Sequence, residues 1–126
     1  MEHTFYFAGS PKKISWVNKT NDDKIEQMRD HADIYLDKVN GEQSRYIAMH
    51  VGIFWCIGMF IIKNEDTVRI MVDSHTMYEH LTKQQNSKDL FIETRTKFFK
   101  QLVEQRKLNI IYEKISKGDN QALKLI

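Results

Sequence analysis

Asp73, His75, Glu79 and His80 form the densest group of side chains that could bind a divalent metal ion. Carboxylate oxygens and imidazole nitrogens are both common metal ligands in proteins. The two histidines are five positions apart, which does not put them on one face of a helix, and no cysteine accompanies them. The spacing therefore favours exposed helical residues over a metal site in this segment.

Asp73 is the strongest single candidate for a functional carboxylate. It directly follows the apolar segment Thr67–Val72 and precedes Ser74. An aspartate at the end of a strand can bind a metal ion, or it can cap the next helix, and the local sequence favours the cap, with Ser74 or Asp73 as the capping residue. Glu113, on the predicted last strand, is a weaker candidate ligand near the same end of a sheet.

Basic side chains lie in two parts of the chain, after the first predicted turn and on or just beyond the predicted helix 89–107. They are Lys12, Lys13, Arg95, Lys97, Lys100, Arg106 and Lys107. Such a surface can follow the phosphates of a duplex and bind it in a salt-dependent way. Acidic residues are interspersed on the same helix, which favours an ordinary solvated face. The net charge of +2 permits a nucleic-acid partner without requiring one.

The length and composition indicate one folded domain over residues 1–126. Hydrophobic residues make up 41% and charged residues 29%, as in ordinary globular proteins. Cys56 is the only cysteine, so no intrachain disulfide can form, and a small apolar role in a reduced, cytoplasmic protein is expected. The segment before Pro11 lacks the pattern of a signal peptide.

The order of elements predicts an α/β fold of the mixed type. Strands are expected at 4–7, 14–17, 32–36, 67–72 and 108–112, and helices at 43–63, 74–82, 89–107 and 121–126. The segment Lys24–Arg29 fits either a strand or a helix, and Asn40-Gly41 predicts a turn. The order β-β-β-α-β-α-α-β-α indicates an antiparallel meander followed by parallel strands. The product is a five-stranded mixed sheet with helices packed on it.

The apolar segment Tyr46–Ile62 contains 17 residues without a full charge. That length is at the lower limit for crossing a membrane, and the flanking α/β pattern favours a buried helix instead. Its aromatic residues, Phe54, Trp55 and Phe60, are expected in the core, as is Trp16. Because the helix is apolar around more of its circumference than one sheet requires, a homodimer through residues 46–62 is also predicted.

Three segments resemble parts of the ribonuclease H fold, and they are distributed from near the start of the chain to near its end. TFYFAGS, at 4–10, resembles a first strand that ends in Asp-Gly-Ser, with Ala8 in place of the aspartate. VRIMVDSHTMYEHL, at 68–81, resembles the fourth strand and the next helix, and here Asp73 and Ser74 match. KGDNQALKL, at 117–125, resembles a final Asn-x-x-Ala-Asp signature after a one-residue shift, with Leu123 or Lys124 in place of the aspartate.

The resemblance implies a site in which four carboxylates hold two magnesium ions that activate water against an RNA phosphodiester. The family's helix glutamate should lie slightly more than twenty residues before Asp73, where Ile47–His50 contains no carboxylate. Magnesium prefers oxygen ligands, which Ala8 and Leu123 do not supply, and the imidazole of His50 suits zinc or manganese better. Hydrolysis by the family's mechanism is therefore not expected.

The leading hypothesis is a catalytically degraded ribonuclease H-like domain that binds a nucleic acid, such as RNA or an RNA–DNA hybrid, or a protein. Asp73 is then the remaining ligand, with Ala8, His50 and Leu123 at the other remnant positions. The predicted nucleic-acid contacts are Lys12, Lys13, Arg95, Lys97 and Lys100. No cofactor and no membrane association are expected.

Two further functions stay open from the sequence. One is a nuclease with a rearranged site that uses Asp73 with His50 or Glu113 and requires Mg²⁺ or Mn²⁺. The other is a structural module that forms oligomers through the apolar helix. A membrane-anchored protein is the least favoured reading.

Overall fold

A computed structural model describes residues 1–83 and 86–126. The elements in chain order are β1 (Glu2–Gly9), β2 (Lys13–Thr20), β3 (Asp23–Asp30), α1 (Gly41–Gly58), β4 (Thr67–Val72), α2 (His75–Lys83), α3 (Leu90–Arg106) and β5 (Asn109–Lys114). Two short 3₁₀ helices follow, at Lys117–Asp119 and Leu123–Leu125. The predicted fold class and the order of the strands and main helices are confirmed.

The five strands form one mixed sheet in the order β3-β2-β1-β4-β5. The first three are antiparallel, whereas β4 runs parallel to both β1 and β5. Parallel neighbours end at the same edge of a sheet. The residues after β1 and β4 therefore share one edge, and the residues before them share the opposite edge. Each edge carries a polar cluster described below.

The third strand is not at 32–36, as the sequence predicted, but at β3, which includes the ambiguous segment Lys24–Arg29. The strand was missed because it lies at the edge of the sheet, where most of its side chains are exposed and charged, so apolar alternation is weak. Residues 33–38 instead form turns, in which the Tyr35 and Leu36 amides donate to the Ala32 carbonyl.

Helix α1 begins at Gly41 and ends at Gly58, earlier at both ends than predicted. Asn40 is its N-cap, in a capping box with Gln43, so the Asn40-Gly41 pair starts the helix and does not form the predicted turn. The helix packs on β1 and β2 and also against α3. This burial on two sides explains its broad apolar surface. Within the described residues, no helix is long and apolar enough to cross a membrane.

The aromatic residues of the α1 region divide between core and surface. Trp16 is fully buried in β2 and Trp55 is half-buried against it, with 5.8 Å between the ring centroids. Phe54 and Phe60 were expected in the core, but they are 59% and 80% exposed. Phe54 lies on the solvent side of α1, and Phe60 lies beyond the end of the helix. The homodimer predicted through this region remains a prediction.

Candidate functional site

The ends of β1 and β4 meet at one corner of the sheet. Tyr6 is paired with Met71 in the parallel register, so two further residues along each strand bring Ala8 beside Asp73. Ala8 is 3% exposed and has no side-chain donor or acceptor. The resemblance puts these two positions at neighbouring strand ends, and of the two only Asp73 carries a carboxylate.

The Asn120 side chain forms hydrogen bonds to three segments at this corner. Its Nδ2 donates to the Phe7 carbonyl at 2.9 Å and to Asp73 Oδ2 at 2.8 Å. Its Oδ1 accepts from the Ala122 amide at 3.0 Å, and the Ser15 hydroxyl donates to the Ala122 carbonyl at 2.7 Å. The segment that resembles the family's final signature thus lies against the corner, while Leu123 is partly exposed beside it.

Ser74, and not Asp73, caps helix α2. The Ser74 hydroxyl accepts from the Met77 amide at 3.2 Å, and the Tyr78 amide donates to the Ser74 carbonyl. Of the two caps that the sequence allowed, Ser74 or Asp73, the structure has Ser74. The Asp73 carboxylate instead accepts from Asn120.

On its other side the corner is closed by the first turns of α1. A Cβ atom placed on Gly9 would come within 2.5 Å of both the backbone carbon and the Oγ of Ser44. The Ser44 hydroxyl is 2.7 Å from His31 Nε2, which is also 3.0 Å from the Ser10 carbonyl. Because that carbonyl can only accept, Nε2 carries the proton and donates to both oxygens.

Ser44 and His31 were missed by the sequence analysis. The segment Ile47–His50 was expected to approach the corner, but α1 meets Gly9 four residues after its N-cap, at Ser44. Ile47, Ala48 and Met49 are buried in the core. No local sequence pattern identifies Ser44 or links it to His31.

His50 lies between α1 and α3. Its Nδ1 accepts from Arg95 at 3.3 Å, and its ring meets that of Phe99 edge-on, with 6.0 Å between centroids. Burial and the Arg95 guanidinium lower the pKa of His50 to about 4. His50 is therefore neutral near pH 7, and its Nδ1 is already used by Arg95.

The other candidate metal ligands are held in separate contacts. His75 is 2.7 Å from Lys114 Nζ, and Glu113 accepts from Arg69 at 2.7 Å. His80 bonds the Tyr46 hydroxyl through Nδ1 and Glu93 through Nε2. Among residues 1–83 and 86–126, no three or more His, Cys, Asp or Glu side chains converge in a group that could hold a metal ion. The donors present at the corner thus do not fit a two-magnesium site.

The five predicted nucleic-acid contacts occupy three places. Lys12, in the turn after β1, and Lys13, the first residue of β2, lie next to the corner and pair with Asp37 and Asp30. The Arg95 guanidinium donates to the Tyr35 hydroxyl at 2.7 Å and lies over the rings of Tyr35 and Phe91. Lys97 and Lys100 line a groove of about 530 Å³ along α3, together with His80, Glu93 and Glu104.

Replacing Asn120 with alanine is expected to lower the free energy of unfolding by about 1.5 kcal/mol, because two buried backbone groups lose their partner. Urea denaturation followed by circular dichroism measures the change. Gln121→Ala is the matched control, since its only hydrogen bond is long, at 3.4 Å to the Tyr6 hydroxyl. Equal losses in the two variants would show that Asn120 does not hold the corner.

No protein-family model and no curated protein sequence matches the chain. Solved structures do match its fold. Ribonuclease H1 of the halophilic archaeon Halobacterium salinarum superposes with a TM-score of 0.75 at 14% identity, over 98% of this chain and 92% of that one. LC11 ribonuclease H1, isolated from compost by a metagenomic approach, gives 0.74 at 16% identity, over 98% and 91%.

A third similar structure is the N-terminal ribonuclease H domain of rv2228c from Mycobacterium tuberculosis. Its TM-score is 0.71 at 15% identity, over 98% of this chain and 89% of that one. Identity at this level establishes architecture and not activity. The strand order, the helix positions and these superpositions together show that the chain has the ribonuclease H fold.

Proposed function

We propose that this domain binds nucleic acid of the RNA–DNA hybrid type without hydrolysing it. The observation that carries the proposal is the corner where β1 and β4 end, in which Ala8 lies beside Asp73 and Asn120 occupies one Asp73 oxygen. A two-metal mechanism needs several oxygen ligands to hold its ions and to activate water. Within residues 1–83 and 86–126, the carboxylate in contact with this corner is that of Asp73, and no group of three or more possible metal ligands converges there.

Ser44 and His31 do not provide an alternative nucleophile. A serine is activated when a neighbouring histidine nitrogen accepts its proton. Here His31 Nε2 carries a proton and donates it to the Ser10 carbonyl and to Ser44 Oγ. Both side chains are also buried: His31 is 5% exposed and Ser44 is 0% exposed. Their arrangement supports a structural role in closing the corner.

The lysines beside the corner support binding. Lys12 and Lys13 are exposed or half-exposed, and each has only a surface ion pair, with Asp37 at 3.3 Å and with Asp30 at 3.8 Å. Such pairs are weak, so a phosphate can replace them. LC11 ribonuclease H1 has been solved in complex with an RNA/DNA hybrid, which makes the hybrid the first ligand to test.

The test of binding is fluorescence anisotropy with a labelled RNA–DNA hybrid at several salt concentrations. We expect the affinity to fall steeply between about 50 and 200 mM salt, because phosphate contacts release counterions. The double substitution Lys12→Gln with Lys13→Gln should weaken binding and reduce the salt slope by about two. Lys19→Gln, near the other end of β2 and outside the predicted basic surface, is the matched control and should leave both unchanged.

Hydrolysis is tested on the same hybrid with Mg²⁺ or Mn²⁺. No product above the metal-only background is expected from the proposed function. Metal-dependent cleavage that disappears in Asp73→Asn would overturn the proposal in favour of a nuclease with a rearranged site. A stable dimer in analytical ultracentrifugation, without salt-sensitive binding of the hybrid, would instead favour the oligomerisation module.

A further inference from the structure

A groove of about 260 Å³ lies between α1 and α3. Its lining consists of His50, Val51 and Phe54 on α1 and Arg95 on α3. The three α1 residues follow Ser44 by six to ten positions, so the groove is further along the helix than the corner. It is therefore a separate feature of the surface.

The groove has exposed aromatic walls. Phe54 lies in it, and Phe98 follows Arg95 by three positions on α3, which puts Phe98 and Arg95 on one face of that helix. Both phenylalanine rings are more than half exposed, so core packing does not account for them. The α1 helix also carries no full charge from Tyr46 to Gly58. Exposed aromatic residues on neighbouring helices are typical of a surface that binds another protein.

The Arg95 guanidinium is held in one orientation. It lies over the rings of Tyr35 and Phe91, with its Cζ atom 5.6 Å and 5.7 Å from their centroids. Its Nη2 donates to the Tyr35 hydroxyl at 2.7 Å, and its Nη1 donates to His50 Nδ1 at 3.3 Å. A side chain that is already ordered loses little conformational entropy when it binds a ligand.

The half-buried Arg95 has no carboxylate partner in the described parts of the chain. Its two hydrogen-bond acceptors are a tyrosine hydroxyl and His50, which is neutral near pH 7 because burial and the guanidinium itself lower its pKa to about 4. A guanidinium has five N–H donors, and two are used here, so three can still bind a carboxylate. The groove is thus suited to a ligand that presents an acidic group beside apolar ones.

The charges distinguish the possible occupants of the groove. A nucleic-acid strand is bound through several cations along its phosphates, whereas Arg95 is the only cation that lines this groove among residues 1–83 and 86–126. A second copy of the chain in a symmetric dimer would add another Arg95 and no carboxylate. We propose that the groove binds an acidic, amphipathic segment of another protein, with apolar side chains against Phe54 and Phe98 and an aspartate or glutamate paired with Arg95. This interaction goes beyond the binding proposed for the Asp73 corner and does not depend on it.

The test is selection of peptides from a random phage-displayed library against the purified protein. Enriched peptides should contain aspartate or glutamate beside aromatic or aliphatic residues, because Arg95 and the two phenylalanines are the expected contacts. The most enriched peptide is then titrated into the isotope-labelled protein. Saturable NMR shifts are expected at the backbone amides of Val51, Phe54 and Phe98, and they would place the peptide in the groove.

A double-mutant cycle tests the ion pair. Replacing the acidic residue of the peptide with its amide should weaken binding to the parent protein about tenfold, and Arg95→Gln should do the same with the original peptide. The amide peptide should bind the parent and Arg95→Gln with similar affinity, because the pair is then already broken. Arg95→Lys should restore only part of the affinity, since lysine lacks the planar donor geometry. Lys117→Gln is the matched control for the loss of one positive charge and should bind the peptide like the parent.

The apolar contacts are tested by Phe54→Ser and Phe98→Ser. Both side chains are exposed, so the variants should fold, and each should weaken the peptide about tenfold. Met28→Ser replaces an exposed apolar residue on β3 and is the matched control. Circular dichroism during thermal unfolding checks that every variant keeps the fold of the parent.

The proposal is overturned if no acidic, apolar sequence is enriched, or if the parent and Arg95→Gln bind the peptide equally. A loss of hybrid binding in Arg95→Gln as large as that in Lys12→Gln with Lys13→Gln would assign Arg95 to nucleic acid instead. A dimer in analytical ultracentrifugation that Phe54→Ser dissociates would assign the groove to a second copy. Failure of the hybrid assay leaves the peptide measurements unaffected, so the two proposals fail separately.

Discussion

Gly9→Ala is expected to lower the free energy of unfolding by about 3 kcal/mol, the upper end of the usual cost of overpacking. The added methyl group would meet the backbone carbon of Ser44 at 2.5 Å and its carbonyl oxygen at 2.7 Å. A helix backbone cannot move aside as the tip of a flexible side chain can. The end of β1 and the first turns of α1 would therefore have to separate.

Urea denaturation with a two-state fit measures this loss. Gly58→Ala is the matched control, because a Cβ at Gly58 meets nothing within 4 Å and alanine favours the helix. We expect Gly58→Ala to be neutral or slightly stabilising. If Gly9→Ala proves as stable as Gly58→Ala, then Ser44 of α1 does not contact Gly9 of β1 this closely in solution.

The second large effect is a loss of stability in acid that depends on Asp66. Burial raises the pKa of Asp66, but the hydrogen bonds from His3, from the Lys63 amide and from the amino group of Met1 outweigh it and lower the pKa to about 2. The ordinary pKa of an aspartate side chain is 3.8. A carboxylate with a lowered pKa in the folded state stabilises that state above its unfolded pKa.

The sign of this effect sets the pH window. The contribution of Asp66, about 2 kcal/mol, is fully present above about pH 5 and is lost as the pH falls through 4 towards 2. Urea titrations at intervals from pH 6 to pH 2 should show this loss in the parent protein. Asp66→Asn should be less stable at pH 6 and should have a flatter pH profile, whereas Asp22→Asn, at an exposed position, should follow the parent. Parallel profiles for the parent and Asp66→Asn would contradict the assignment.

The parts of the fold that follow from local patterns could be predicted from the sequence. β4 was predicted at its observed bounds because its apolar, β-branched residues form a compact run between polar connectors. α3 was predicted within a residue because Asp89 caps it and Lys107 ends it in a left-handed conformation. β3 could not be assigned, since an exposed edge strand carries little apolar periodicity.

The candidate site was harder to predict because its contacts join distant parts of the chain. Ala8 and Asp73 were paired through the resemblance of two strand ends, and the parallel register of β1 and β4 is consistent with that pairing. Ser44 lies three residues before the segment Ile47–His50, which the resemblance indicated from its spacing to Asp73. The contact between His3 and Asp66 spans 63 positions, and no local pattern indicates it.

The anchoring of Asn120 and Ala122 has a consequence for synthesis of the protein. These residues bond Phe7 and Ser15, so the candidate corner joins early and late segments of the polypeptide, 113 positions apart for Asn120 and Phe7. During translation, β1, β2 and β3 emerge first and can form their meander while residue 120 is still inside the ribosome. The corner closes only after Asn120 has emerged, so a ribosome-bound nascent chain can hold a formed hairpin while its candidate binding site is still open.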